Sequence, residues 1–323
     1  MIGLDVRRVV RALQIVDDDT LAIGARRHRC ADLVAMLGPM LGDDPPLVRA
    51  LAHAIYSQLY ARLRPATGYP RSERALLGEL SAANTSTVGW DPGWTVTGFD
   101  PDPPRLVVRK DDLSVYAMPG EVAAEAPAVG DVVHLRLGKE RLFVSPGFYF
   151  ALGDARGDRT RDRETVRIYL NVRADGAAAF VGATTTALNA AGVPFRAKIV
   201  SNPNGFVRAD AAVIYLARAD YAGAAPALRA IRARLRGQLV AATPLFAKRV
   251  APGIAVAEDP ASSLSFGQHR SRAIALALVE ARSRALAPRA VLALVGQTLA
   301  AQRIDPERPH LALGNPDRYD AWN

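Results

Sequence analysis

Val166-Arg167-Ile168-Tyr169-Leu170-Asn171-Val172 changes side-chain character at every position. In an extended chain successive side chains point to opposite faces, so Val166, Ile168, Leu170 and Val172 form an apolar stripe suited to a core. The reverse stripe is Arg167, Tyr169 and Asn171. Three further segments divide in the same way. Residues 194–200 turn Phe195, Ala197 and Ile199 inward and leave Arg196 and Lys198 outward. Residues 131–137 bury Val133, Leu135 and Leu137 and present His134 and Arg136, while Phe148-Tyr149-Phe150 directs Tyr149 away from two phenylalanines. If the outward stripes converge on one sheet face or cleft, Arg167, Arg196, Lys198, His134 and Tyr149 make a cationic site suited to a phosphate group. The alternative is the solvated face of an ordinary antiparallel sheet.

On either side of this stretch, β-rich segments recur near 105–109, 113–118, 131–137, 147–152, 165–172, 194–200, 211–217 and 246–257. Helical patterns cover 175–191, 220–240, 268–286 and 288–302. Strands in runs with helices interposed late predict an α+β fold, a mostly antiparallel sheet with flanking helices. Ahead of it, Leu4 to Ala83 reads as helical. Val48, Leu51, Ile55, Leu59 and Leu63 follow a three-or-four spacing behind Pro45 and Pro46, and 71–80 gives a second amphipathic run. Between Asn84 and Pro104 the chain turns to Gly, Pro, Asp and Trp, which is loop and short-strand chemistry. The expected division is a helical N-terminal unit at 1–88 and an α+β domain at 89–323.

Half of the 323 residues are hydrophobic and 23% are charged, enough apolar material for a core and too much for a disordered chain. The net charge of +9 points to an anionic partner. Among 41 basic residues only Lys110, Lys139, Lys198 and Lys248 are lysines, and arginine stays protonated, so few side chains can act as a neutral amine. The single cysteine, Cys30, forms no internal disulfide, and the opening residues, with Arg7 and Arg8, lack the order of a secretory signal. The cytoplasm is the expected compartment. Gly176 to Phe195, the longest uncharged stretch, is Ala/Thr-rich with Asn189, Gly192 and Pro194, too weakly apolar to span a bilayer. Nucleic-acid recognition motifs are absent.

Two further places carry candidate chemistry. Glu258-Asp259-Pro260 is followed by Ser263-Leu264-Ser265-Phe266-Gly267-Gln268-His269-Arg270, a Ser-rich loop entering a helix whose N-terminus offers free N–H groups to an anion. Ser265 there is a phosphate contact or simply the N-cap. Arg270, in the first turn, opposes the helix dipole and sits where a phosphate clamp is wanted. Arg208-Ala209-Asp210 is either catalytic or a salt bridge orienting the loop after Gly205. Glycine fingerprints for dinucleotides, phosphate-cradling Gly-Lys-Ser/Thr loops and His-Glu-x-x-His helices are missing. The five histidines are scattered without ligand spacing.

Pro146-Gly147-Phe148-Tyr149-Phe150-Ala151-Leu152-Gly153, Arg167-Ile168-Tyr169-Leu170-Asn171, Pro194-Phe195-Arg196-Ala197-Lys198, Arg208-Ala209-Asp210 before Ile214-Tyr215-Leu216, and Glu258-Asp259-Pro260 with Ser265-Phe266-Gly267-x-x-Arg270 occur in the order found in HopA-like proteins. The resemblance covers roughly residues 130–285. That family includes type III effectors of plant pathogens and stand-alone bacterial proteins encoded with a kinase-like partner in class V lanthipeptide and thioamitide pathways. The resemblance implies a phosphoserine/phosphothreonine lyase that acts on a phosphorylated precursor peptide and leaves dehydroalanine or dehydrobutyrine. It implies a lysine that removes the α-proton and cations that hold the phosphate. Here Lys198 is the expected base, and Arg167, Arg196, Arg208 and Arg270 are the expected phosphate ligands. Effector phosphothreonine lyases carry a Lys-x-His pair on one strand. This chain has none, so the proton donor stays open among Tyr149, Tyr169 and His134, with Asn171, Asp210 and Ser265 as supporting groups. No metal or organic cofactor is expected, because phosphate departs once its charge is matched. The other reading is a non-catalytic phosphopeptide or leader-peptide binding module.

The 1–88 unit is expected to dock a kinase-like protein or an acidic leader through its Val48 to Leu63 stripe and its Arg26-Arg27-His28-Arg29 cluster. The alternative is that the stripe packs on the α+β domain.

Overall fold

The alternating segment that begins at Thr165 becomes the middle strand of the main sheet. In the computed structural model, residues 2–35, 44–64, 70–87, 89–110, 113–142, 145–155, 164–259, 262 and 264–322 are described. The expected boundary at residue 88, Pro260 and Ser263 lie outside them. The main sheet has seven strands, all antiparallel: β8 (Glu140–Arg141), β9 (Phe148–Leu152), β10 (Thr165–Leu170), β11 (Arg196–Val200), β12 (Ala212–Ala217), β13 (Lys248–Ala251) and β14 (Ile254–Glu258). Their order across the sheet is β13-β14-β10-β12-β11-β9-β8. The segment read as one strand at 246–257 is a hairpin, β13 and β14, turned at Pro252 and Gly253.

Both faces of this sheet are covered by helices. On one, Val166, Ile168, Leu170, Ala197, Ile199 and Ile214 pack with α4 (Glu73–Ala83), α5 (Ala177–Ala190) and α6 (Tyr221–Arg234). On the other, Tyr169, Val213, Ala255 and Ala257 share a second core with α3 (Pro46–Ala54), the π-helical turn Ile55–Tyr60 that continues it, α7 (Phe266–Ser283) and α8 (Pro288–Ala301). An apolar stripe on each side of a strand is therefore buried, the pattern of a central strand in a three-layer arrangement. The open sheet face allowed by the alternation survives only toward β11 and β12.

The N-terminal stretch is not wholly helical. After α1 (Leu4–Ala12), residues 13–29 form a three-stranded antiparallel sheet, β1 (Leu13–Ile15), β2 (Thr20–Ile23) and β3 (Arg26–Arg29), followed by α2 (Cys30–Ala35). The Arg26–Arg29 cluster is thus a strand. Val48, Leu51 and Ile55 are 2% exposed or less and lie in the second core beside Phe266 and Tyr169. Leu76 and Leu80 of α4 pack on the opposite side of the sheet. Of the stripe offered for docking, Val48, Leu51 and Ile55 are taken up by the protein's own interior, Leu59 is partly buried against it, and Leu63 is 51% exposed.

Residues 89–137 instead make a separate four-stranded antiparallel sheet in the order β6-β5-β4-β7, with β4 (Gly89–Pro101), β5 (Pro104–Lys110), β6 (Leu113–Ala117) and β7 (Val132–Leu137). It has a small core of its own around Trp94, Val96, Leu106, Val108, Val133 and Leu135. The Gly-, Pro- and Trp-rich stretch read as boundary loop is β4. Register shifts between Asp91 and Trp94 and between Val96 and Gly98 accommodate its glycines and proline as bulges. Among the described residues no helix is long and apolar enough to cross a membrane.

Candidate active site

Strand pairing assembles a cationic row across three strands. Arg167 of β10 stands opposite Tyr215 of β12, and Tyr215 stands opposite Arg196 of β11. The next row on the same face runs Tyr169, Val213, Lys198 and Phe150. Both guanidinium groups face the Tyr215 ring, Arg167 at 5.2 Å and Arg196 at 5.7 Å from its centroid. Arg196 is exposed, while Arg167, Lys198 and Tyr215 are half-buried. The sequence therefore placed Arg167, Arg196 and Lys198 together correctly, because period-two alternation in neighbouring antiparallel strands delivers them to one face.

Lys198 is set apart by its surroundings. Its Nζ lies 4.0 Å from the centroid of Phe148 and 5.9 Å from that of Phe150, and among the described residues it has neither a hydrogen bond nor an ion pair. Burial, opposed by Asp210 and reinforced by Arg167 and Arg208, pulls its pKa down to about 8. A substantial fraction of this amine is neutral at mildly alkaline pH.

Arg208 borders the same Phe148 ring, 5.6 Å from its centroid. Asp210, 7% exposed, accepts two hydrogen bonds from it, Nε to Oδ1 at 2.6 Å and Nη2 to Oδ2 at 2.9 Å. Arg208 Nη2 also donates to the hydroxyl of Tyr56 at 2.6 Å. Arg167 is paired with Asp259 at 2.5 Å, and its Nε is buried without a hydrogen-bond partner among the described residues. Burial disfavours charge on Arg167 and Arg208, yet the neighbouring tyrosines and carboxylates keep both above the usual arginine range. Both remain guanidinium ions. Arg270, 2% exposed, stacks 4.0 Å from the Phe266 ring centroid and donates from Nε to the carbonyl of Pro309 at 3.1 Å. Burial lowers its pKa to about 10. Its charge is felt by, and feels, those of Arg167 and Asp259.

Ser265 is the N-cap of α7, accepting from Gln268 N at 3.4 Å, while Ser265 N donates to Gln268 Oε1 at 2.9 Å. This reciprocal pair is a capping box, which fixes where the helix starts. Asn171 is buried and its Nδ2 donates to the carbonyl of Ala242 at 2.9 Å, tying β10 to the loop that leads into β13. Tyr169 is buried with its ring tilted on Phe266 at 6.0 Å, part of the floor.

Two expected members are elsewhere. Tyr149 pairs with Ile199 and faces the opposite core, where its hydroxyl donates to Glu140 at 2.6 Å and accepts from Asn84 at 3.0 Å. The parity of Phe148-Tyr149-Phe150 is thus reversed: the two phenylalanines face the site and the tyrosine faces inward. A tyrosine can fill a core position when its hydroxyl finds a partner, and hydrophobicity alone misassigned the faces. His134 lies exposed on β7 of the four-stranded sheet, so it does not join the row on β10 to β12.

Tyr215, Phe148, Phe150 and Tyr56 border these residues and were not anticipated as site residues, and Asp259 was marked only within the candidate loop that enters α7. Tyr215 was readable: Ile214-Tyr215-Leu216 alternates like Ile168-Tyr169-Leu170. Tyr56 carried no signal, because helical periodicity does not say which strand residue a helix will meet.

Comparison with known proteins adds to this geometry. The sequence profile of the HopA1 effector protein family matches residues 140–311, which span the seven-stranded sheet, α5 to α8 and all of the cationic row. Two solved structures share the fold, each at 18% identity over 88% of this chain and 94% of theirs. One is the effector protein from Pseudomonas syringae pv. tomato strain DC3000, with a TM-score of 0.52. The other is the effector protein from Pseudomonas syringae pv. syringae strain 61, with a TM-score of 0.50. A search of curated proteins gives no match.

Proposed function

This chain belongs to the HopA1 effector protein family, and we propose that it is a phosphoserine/phosphothreonine lyase acting on a phosphorylated peptide. The observation that carries the proposal is Lys198: an amine without an ionic partner among the described residues, with a pKa lowered to about 8, set among guanidinium groups. A phosphate-binding module needs the arginines but gains nothing from a lysine whose charge is being withdrawn. A β-elimination needs both.

In this reaction neutral Lys198 Nζ takes the α-proton of the phosphorylated residue. The released electron pair becomes the Cα=Cβ bond, the Cβ–O bond breaks, and phosphate departs toward Arg167 and Arg208. Asp210 and Asp259 hold these two guanidinium groups in place before the substrate arrives, which lowers the reorganisation needed during the reaction. Phe148 and Phe150 form an apolar wall that keeps water from the amine. The phosphate must be installed first, so a kinase-type activity acts upstream, and a precursor peptide modified in tandem is the substrate class.

The test is incubation of the full chain with a synthetic phosphoserine peptide, read by mass spectrometry. A product lacking the elements of phosphoric acid, and able to add a thiol, supports elimination. Recovery of the serine peptide means hydrolysis, and unchanged peptide that binds tightly means a binding module; either outcome contradicts the lyase.

A further inference from the structure

The proposed elimination leaves one proton unassigned. A phosphoester dianion that breaks its Cβ–O bond without receiving a proton must leave as the phosphate trianion, which is a poor leaving group. Of the residues expected to supply that proton, Tyr149 faces the opposite core and His134 lies on another sheet, while Tyr169 is 1% exposed against Phe266.

Tyr56 occupies the needed position. It lies on the π-helical turn Ile55–Tyr60, and π-turns are rare and concentrate at functional sites. Its ring is half-buried and stacked on Tyr60 at 5.3 Å, which fixes the direction of the hydroxyl. That hydroxyl accepts a hydrogen bond from Arg208 Nη2 at 2.6 Å, leaving its own proton free to donate. Arg208 is held from behind by the bidentate Asp210 and borders the Phe148 ring on which Lys198 also sits. The base and the guanidinium that holds the acid thus border one aromatic ring, and the acid is hydrogen-bonded to that guanidinium. Tyr215, the other half-buried tyrosine of the row, has Arg167 and Arg196 over its ring face and no guanidinium hydrogen bond to its hydroxyl among the described residues.

We propose that Tyr56 is the general acid of the elimination, donating its phenolic proton to the bridging oxygen of the departing phosphate; this rests on the lyase reading. As Lys198 Nζ takes the α-proton and Cα=Cβ forms, the Cβ–O pair leaves with phosphate and is protonated by Tyr56, giving hydrogen phosphate. The tyrosinate that remains is stabilised by Arg208 and regains a proton from solvent as the Lys198 ammonium gives one up, so the cycle closes without another reactant. Burial and Asp210 push the Tyr56 pKa up to about 12 while Arg208 opposes them, which suits a donor to a strongly basic leaving oxygen. The N-terminal segment, outside the residues 140–311 matched by the family profile, then supplies part of the chemistry.

The experiment compares wild-type full chain, Tyr56→Phe and Tyr215→Phe on two synthetic peptides, one with phosphoserine and one with O-sulfoserine, whose sulfate leaves without protonation. Tyr56→Phe keeps the ring stack and is expected to lose roughly 10²–10⁴-fold in kcat on phosphoserine with KM little changed. On O-sulfoserine its loss is expected to be under about tenfold, and Tyr215→Phe is expected to show no such difference between the peptides. Equal losses of Tyr56→Phe on both peptides, or no loss on either, overturn the acid assignment while elimination by the wild type leaves the lyase reading standing. A wild type that eliminates neither group overturns the lyase reading, and the acid with it.

Discussion

At Lys198 two influences compete. The aromatic rings of Phe148 and Phe150 favour an ammonium ion over their faces, whereas burial and the guanidinium groups of Arg167 and Arg208 favour the neutral amine. The net result is a pKa of about 8, against about 10.4 for an unperturbed lysine. The base works deprotonated, so kcat for elimination is expected to rise with pH through about 8 and then level. A rise delayed to the ordinary lysine range contradicts this assignment. Arg167 and Arg208 belong to the same scale. A charge-assisted hydrogen bond is worth about 1.5–3 kcal/mol, so Arg167→Ala is expected to weaken binding of a phosphoserine peptide by roughly ten- to a hundredfold and of its unphosphorylated form hardly at all. Calorimetric titration of the two peptides separates phosphate recognition from a general loss of structure, which lowers both affinities alike.

At the scale of elements, the site depends on how α7 seats against the π-helical turn. Gly267, in the first turn of α7, is where the two meet: a Cβ built there falls 2.3 Å from Tyr60 Cε1. Tyr60 is 1% exposed and stacked on both Tyr56 and Phe246, so it has no room to yield. Gly267→Ala is expected to cost about 1–3 kcal/mol through overpacking, lowering the thermal midpoint by a few degrees, and to reduce turnover by displacing Tyr56. An unchanged midpoint in a thermal melt shows that the contact relaxes and that the seat is not tight. The elements were readable in the sequence to very different degrees. β10 and β11 alternate cleanly, and Arg167, Arg196 and Lys198 emerged on one face because pairing in register follows from that alternation. Phe148-Tyr149-Phe150 misled because both faces of the sheet are buried, so apolar character no longer distinguishes them; Glu140 and Asn84, which satisfy the Tyr149 hydroxyl, are not local to the strand. β4 was hidden because its bulges use the glycines and proline that ordinarily mark loops. Tyr56 was beyond reach, since its partner Arg208 is more than a hundred residues away in the chain.

At the scale of the whole molecule, the N-terminal residues are part of one fold with the sheet. Val48, Leu51, Ile55 and Tyr60 share a core with Tyr169, Ala255 and Phe266, and Leu76 and Leu80 complete the other core. Removal of residues 1–88 exposes both faces of the sheet, so the truncated chain is expected to be insoluble or to lack a cooperative melt. A soluble remainder with a sharp transition contradicts a shared core and returns the segment to a docking role. Burial, helped by Arg270, lowers the His269 pKa to about 4, and burial also lowers those of His53 and His310. Each is below the unfolded histidine value of about 6.5, so the unfolded chain binds more protons in acid. Stability from these groups is complete above about pH 6.5 and is lost progressively as pH falls toward about 4. The thermal midpoint is therefore expected to fall between about pH 7 and pH 5, and a flat profile there contradicts neutral burial of these rings.

In the proposed elimination Lys198 acts as a base and not merely as one more positive charge. Lys198→Arg keeps the charge and removes the basicity, so the decisive measurement is the rate at which this variant forms dehydroalanine from a synthetic phosphoserine peptide, beside its affinity for the same peptide. The prediction is near wild-type binding with elimination slowed by roughly 10²–10⁴-fold or more. Elimination at the wild-type rate by Lys198→Arg contradicts it.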